Sequence, residues 1–302
     1  MGSVQRPRPV VSDRTRLFAR SGALILLLGA TWLVVGVSLR DASTAAVAAG
    51  RTGFTVLGLA ALTWRTAPVG TPALRAYRWW QIVILAGTGV TAYTVFSTVA
   101  IALAGPALPS LVLCLAPAVV LVAESVLARA RPPLLTVAGT AVAVAGAAAY
   151  VVPRLAGTFG RDVTLGTVCA VAAMLSIAFY GLFFARVNRG YHGAMAPRIL
   201  PIFAAGSIPL IAWAVVEGAA VSLTAVGLLA ILGIVIYVPA YLLQHRILVT
   251  AGASYSALLG LGVPPLVGVG SALVHLGATP TPVQAGATVV TLAGMVLVIS
   301  RQ

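Results

Sequence analysis

The amino-acid sequence predicts an all-α integral membrane protein, with ten transmembrane helices arranged as two inverted five-helix repeats and both termini cytoplasmic. Three observations predict it: a near-absence of charge, a regular succession of apolar runs, and a block that recurs in the second half. Of 302 residues, 60% are hydrophobic and only 8% are charged, against roughly 25% charged in an ordinary soluble domain. Mean hydropathy is +1.06. So few charges cannot clothe a water-facing surface.

Crossing about 30 Å of hydrocarbon as a helix takes roughly 20 apolar residues. Ten runs of about that length can be drawn, at 17–38, 43–63, 80–102, 107–127, 133–152, 164–185, 195–216, 223–244, 252–274 and 282–300. Breaker residues separate them: Gly105-Pro106, Arg131-Pro132-Pro133, Pro153-Arg154, Glu217-Gly218, His245-Arg246 and Pro280–Pro282 among others. The first run exceeds the roughly 7–15 apolar residues of a signal peptide, and nine others follow, so it reads as a retained span. The polar segment 1–16 reads as a cytoplasmic tail that sets orientation and touches lipid headgroups. Residues 17–152 read as the first repeat, 153–163 as a linker and 164–302 as the second repeat.

All 19 basic residues are arginines, and the net charge is +14. They lie scattered at the ends of apolar runs with no basic face and no interleaved aromatics, so nucleic acid is excluded as a partner. Placed on ten spans, the links on the N-terminal side hold Arg6, Arg8, Arg14, Arg16, Arg20, Arg65, Arg75, Arg78, Arg129, Arg131, Arg186, Arg189, Arg198, Arg246 and Arg301. The opposite links hold only Arg40, Arg154 and Arg161. Arginine accumulates in cytoplasmic loops, which places the chain as a multi-pass protein of the cytoplasmic membrane.

The repeat is carried by Ala104–Pro117, AGPALPSLVLCLAP, and Ala251–Pro264, AGASYSALLGLGVP, at an offset of 147 residues (251 − 104). The same offset takes Arg51 to Arg198, Pro117 to Pro264 and Gly139 to Gly286, and brings Gly146 within one residue of Gly294. Five helices per unit is an odd number, so the second unit enters the membrane from the opposite face, the plan of many secondary transporters. The paired prolines are expected to kink their helices.

With these residues on the page, the chain resembles the EamA-type permeases of the drug/metabolite transporter superfamily over residues 17–300. The resemblance is carried by Thr31-Trp32, by Arg51, and by the two paired blocks with their Gly-rich closing helices (Gly139 and Gly146, Gly286 and Gly294). It departs where that family often carries glutamates about thirteen residues past the proline. Ala130 and Gly277 stand there, so no role is carried over. The resemblance implies a transporter whose path is lined by spans 1, 3, 4, 6, 8 and 9, with 5 and 10 as supports, and it implies outward transport.

Tyr237, Tyr241 and Gln244 recur at i, i+4 and i+7, one face of the eighth span. Their repeat positions include Thr94 and Ser97 on the third, with Tyr93 beside them. Trp32, Ser176 and Tyr180 add polar or aromatic groups on the first and sixth spans. With Pro117 and Pro264, these residues are the expected substrate path, although tyrosine and tryptophan also populate interfacial belts and serine and threonine also join helices. Intramembrane charges are costly and so count as functional candidates. Arg51 reads as an anchor or a contact to an anionic group, with Arg198 as its repeat partner, and Glu124 reads as pairing with Arg129 and Arg131 at headgroup level. No carboxylate falls at mid-membrane, which favours facilitated diffusion or exchange over proton coupling.

Cys114 and Cys169 lack metal-ligand spacing, and His192, His245 and His275 are dispersed, so neither a metal nor a cofactor is expected. There is no GxSxG, P-loop or acid/base cluster, so neither an enzyme nor an ATPase partner is expected. The partners expected are membrane lipid and a small amphipathic substrate. A helical scaffold without a path is the rival reading, with a membrane-embedded enzyme behind it.

Overall fold

A computed structural model describes residues 10–66, 77–104, 109, 112–155, 162–219, 221–273 and 279–299. Among them every regular element is helical. Six runs are long and apolar enough to cross a bilayer: Thr15–Ser38, Thr44–Arg65, Trp79–Ala104, Val163–Val187, Met195–Val216 and Leu223–Val267. Three apolar helices are shorter: Ala116–Ala128, Leu134–Tyr150 and Pro282–Val298. Their outward faces carry unpartnered aliphatic rows, such as Val122 with Val126, and Val289 with Val296. That surface suits lipid and not water. The chain is a multi-pass α-helical membrane protein.

The helices are labelled in chain order. α1 is Val10–Ser38, α2 is Thr44–Thr66 and α3 is Trp79–Ala104. α4 is Ala116–Ala128, α5 is Leu134–Leu155, α6 is Val163–Val187 and α7 is Met195–Val216. α8 covers Leu223–Ala230, Ile231–Tyr237 and Val238–Leu259, α9 is Val263–Leu273 and α10 is Pro282–Ile299. α5 packs along α10, α2 along α7, and α3 along α6, while α1 packs against α8 and α9.

Several boundaries differ from the sequence reading, each for a local reason. α1 begins at Val10, because no breaker lies between Pro9 and the apolar run, so residues 10–16 belong to the helix and not to a separate tail. α8 does not stop at Gln244. It continues past His245-Arg246 to Leu259, with a break inside it at Gly252, whose φ of 86° and ψ of 172° are a conformation that only glycine adopts without strain. Pro117 does not kink the middle of a span. It is the second residue of α4, after a turn at Cys114-Leu115, where its missing N–H is one that a helix leaves unbonded anyway. Pro264 is likewise the second residue of α9, after the 3₁₀ turn Gly260–Gly262. Gly105-Pro106, which open the first repeated block, lie outside the described residues.

Two features have no counterpart in the sequence reading. α3 and α8 each contain a seven-residue π-helical stretch, Ala86–Ala92 and Ile231–Tyr237. In α8 the π stretch is followed directly by Pro239, which has no N–H to donate to the carbonyl one turn back. Each π stretch sits against a partner helix through a glycine and a threonine. Thr91 Oγ1 donates to the Gly206 carbonyl at 2.8 Å, and Thr55 Oγ1 donates to the Gly233 carbonyl at 3.3 Å.

α5 and α10 come together through small residues, the usual means of close helix approach in lipid. A Cβ on Gly294 would lie 2.4 Å from the Ala143 nitrogen and 2.7 Å from the Gly139 carbonyl oxygen. Both are backbone atoms and cannot move aside. Gly294→Ala is therefore expected to cost about 1–3 kcal/mol through forced separation of the helices. Gly286→Ala, on the same helix with nothing within 4 Å of the added carbon, is expected to be neutral. Thermal melting of the two variants in detergent checks this; equal melting temperatures would overturn the packing argument.

Candidate functional site

The apolar helices surround a cavity of about 720 Å³, within the range of small-molecule sites. α8 supplies its main wall. Tyr237 and Tyr241, one turn apart, stack with centroids 5.0 Å apart and planes within 5°. Phe203 of α7 lies 4.5 Å from Tyr241, centroid to centroid. These rings form a flat apolar surface, each pair worth about 0.5–1.5 kcal/mol beyond its burial.

One turn further along, His245 is 1% exposed and also lines the cavity. Its Nδ1 lies 2.6 Å from the Tyr241 carbonyl oxygen. A carbonyl only accepts, so Nδ1 carries the proton and Nε2 accepts the hydroxyl hydrogen of Tyr180 on α6. Both ring nitrogens are thereby paired within the protein. Phe184 packs edge-on against it at 4.6 Å. Gly89, in the π stretch of α3, lies against the Tyr180 ring, so closely that a Cβ there would fall 2.2 Å from Cδ2. The π stretch thus brings backbone up to the ring that holds His245.

Arg51 of α2 is 7% exposed and lines the same cavity. Its guanidinium donates to Tyr237 Oη at 3.2 Å, to Thr98 Oγ1 at 3.2 Å and to the Thr94 carbonyl at 3.5 Å. Placing an arginine at membrane depth costs about 2.5–3.5 kcal/mol on insertion scales. Hydrogen bonds to a charged group return about 1.5–3 kcal/mol each. The two shorter bonds therefore suffice to hold the charge there. Every one of these acceptors is neutral, so the positive charge is solvated but not cancelled.

The expected path residues divide. Trp32, Tyr93, Ser97, Tyr180, Tyr237 and Tyr241 line the cavity, as do Gln244 and Pro264. Thr94, Pro117 and Ser176 do not. Thr94 is buried behind the wall, serving Arg51 and Thr98 with its carbonyl. At Pro117 the neighbouring Ala116 and Val120 face the space instead. Ser176 is half-buried on α6.

The charged candidates separate as well. Arg198 sits away from the cavity, with its guanidinium 4.3 Å from the Tyr77 ring centroid and 4.8 Å from that of Tyr191. Its Nε donates to Asn188 Oδ1 at 2.6 Å. Tyr77, ahead of α3, donates to the same oxygen at 2.9 Å, and burial pushes its phenol up to about 12. Glu124 departs from the expected pairing with Arg129 and Arg131. It accepts from the Ser254 N–H at 3.3 Å and from the Ser254 hydroxyl, because the break at Gly252 turns the start of the next segment toward α4. His245 is the residue the sequence reading passed over as loop punctuation. The signal was present: positions 237, 241, 244 and 245 are i, i+4, i+7 and i+8, one helical face.

The cavity is not uniform in exposure. Its lining includes Thr279 and Thr281, both exposed. It also includes Tyr180, Leu248 and Ala253, which are 3%, 3% and 2% exposed.

No family model matches this chain, and no curated protein matches it. Among solved structures, one crystal structure, described only as that of a protein, superposes with a TM-score of 0.74 at 20% identity. The match covers 94% of this chain and 97% of that one. Likeness at that identity shows the fold alone.

Tyr180→Phe removes the one donor to His245 Nε2 and leaves a buried acceptor unpaired, at an expected cost of about 1–3 kcal/mol. Phe179→Leu, a neighbouring change on the outward face where Phe179 is 48% exposed, should cost far less. Denaturation followed by tryptophan fluorescence compares them; a neutral Tyr180→Phe would show that the pair does not hold α6 to α8.

Proposed function

We propose that this chain is a secondary transporter of the EamA type, moving a small amphipathic molecule across the cytoplasmic membrane by alternating access. The observation that carries the reading is the cavity itself, whose lining is exposed at Thr279 and Thr281 and buried at Tyr180, Leu248 and Ala253. A scaffold has no use for a space of about 720 Å³ walled by stacked aromatics and a buried guanidinium.

In this reading the 45-residue run Leu223–Val267 counts as two spans meeting at Gly252, and the three shorter helices as one span each. This makes ten, with both termini on the arginine-rich, cytoplasmic side. Helices α1–α5 and α6–α10 form two inverted repeats. Pairings that exchange under such a symmetry support it: α3 with α6 corresponds to α8 with α1, and α4 with α6 to α9 with α1, while α2 with α7 and α5 with α10 each map onto themselves. The π stretches occupy the same helix of each repeat, and their threonine–carbonyl bonds, α3 to α7 and α2 to α8, are partners under the same exchange. The antiparallel bridge between Ala42 and Val221 has its counterpart on the other face in the bond between Tyr77 and Asn188.

The mechanism follows from that exchange. The substrate enters between α1, α3, α6 and α8 and rests against Tyr237, Tyr241 and Trp32. The seal at Tyr180–His245, Tyr77–Asn188–Arg198 and Glu124–Ser254 then opens while the Arg51 side closes, each repeat taking the arrangement of the other. The helix starts at Pro117 and Pro264 and the break at Gly252 are the places where the backbone is already interrupted and bends at least cost. Outward direction rests on the likeness to exporters of that family. No enzymatic step and no ATPase partner enter the scheme.

A drug and metabolite panel run as counterflow on proteoliposomes tests the proposal. At least one substrate should equilibrate without a pH gradient, and Tyr241→Ala or Trp32→Ala should lower its rate about tenfold or more at unchanged protein level, as expected for truncating an aromatic contact worth about 1.5 kcal/mol or more. Absence of counterflow across the panel, or undiminished rates in both variants, would remove the path from these residues. Strict dependence on a proton gradient would replace facilitated diffusion with coupling.

A further inference from the structure

We infer that the cavity selects an organic anion with a flat apolar body, its anionic group held by Arg51 and its ring system laid against Tyr237 and Tyr241. The inference deepens the transporter reading and rests on the cavity being the substrate site. Arg51 is the cation of this cavity, and the acids of the chain do not neutralise it. The chain holds five in total, at positions 13, 41, 124, 162 and 217. Asp41, Asp162 and Glu217 are exposed beyond helix ends, Glu124 is bonded to Ser254 across the molecule, and Asp13 stands at the far end of α1 from the start of α2. A guanidinium offers five N–H donors, and three hydrogen bonds to protein acceptors use them among the described residues. The remaining donors leave room for one more acceptor. A carboxylate is the acceptor that also cancels the charge, and guanidinium geometry favours it.

The neighbouring rings fix the rest of the ligand. The Arg51 guanidinium carbon lies 5.9 Å from the Tyr237 ring centroid, and the Tyr241 ring, parallel to that of Tyr237, is centred 5.0 Å from it, with Phe203 beside Tyr241. An anionic group at Arg51 therefore places an attached aromatic or similarly flat body directly along the tyrosine stack. Neutral and cationic amphipaths of the same shape keep the stacking and lose the charge-assisted bonds. The repeat partner Arg198 makes no second site, since its guanidinium is enclosed by Tyr77, Tyr191 and Asn188.

The test uses the full chain in phosphatidylcholine nanodiscs and two probes of one shape, naphthalene-2-carboxylate and naphthalene-2-carboxamide, titrated at pH 7 by calorimetry. The carboxylate is expected to bind about tenfold or more tightly, the ratio that a charge-assisted hydrogen bond supplies. Arg51→Gln should erase the difference, and Arg51→Lys should restore part of it. The wild-type comparison needs no variant, so it stands even if Arg51→Gln fails to fold. Equal affinities, no binding of either probe at millimolar concentration, or a preference that survives Arg51→Gln would each overturn the inference. Phosphatidylglycerol retained by the wild type and not by Arg51→Gln, with no carboxylate preference, would assign the guanidinium to lipid and overturn it as well. Counterflow is read separately. Carboxylate-selective binding without counterflow of any compound would sink the transporter reading and leave the anion site standing. Transport of carboxamide and carboxylate at equal rates would do the reverse.

Discussion

Hydrocarbon offers no hydrogen-bond partner, and the rest of this structure depends on that constraint. Every backbone N–H and C=O within the bilayer must be met by the chain itself. Most of the protein meets it with continuous helix. The interruptions are informative because each needs its own compensation. In the π stretch of α8 the Gly233 carbonyl accepts from Thr55 of α2, and Thr91 in the π stretch of α3 donates to the Gly206 carbonyl of α7. The break at Gly252 is followed directly by Ser254, whose N–H and hydroxyl are taken up by Glu124. Pro117 and Pro264 stand where a helix begins, so their missing N–H leaves nothing unmet. Irregular backbone thus occurs where other protein groups satisfy it or where no donor is missing.

The same constraint orders the side chains. A carboxylate or guanidinium at membrane depth persists only with several donors or acceptors. Glu124 spends its charge on a contact between α4 and the start of the next segment. Arg198 spends its own between two tyrosine rings and an asparagine. Arg51 is held by hydroxyls and a carbonyl, which satisfy hydrogen bonds without neutralising charge. These three residues, alike as isolated charges in an apolar sequence, come to sit at a helix contact, in a polar cluster and on the wall of the cavity.

Aromatic and polar contacts also join helices at the cavity wall. The Tyr180–His245 bond, with Phe184 and Phe203 packed on the imidazole, ties α6 to α8.

What the sequence determined by itself is whatever follows from composition and short-range spacing. Apolar length settled that the chain crosses the membrane many times, since hydrophobic run length and helix rise are both local. The i, i+4, i+7 spacing found Tyr237, Tyr241 and Gln244 on one face for the same reason. Tertiary structure alone decided the rest. Whether Arg51 faces lipid, headgroups or a cavity depends on α3 and α8, which are far from it in sequence. His245 looked like punctuation beside Arg246, because a helix end and a helix interior near the interface share one composition; only Gly252, adopting φ 86°, shows where α8 breaks. Likewise Glu124 has nearby arginines in sequence and takes Ser254 instead, 130 residues away. Partners across the bundle are chosen by packing, which no local pattern records.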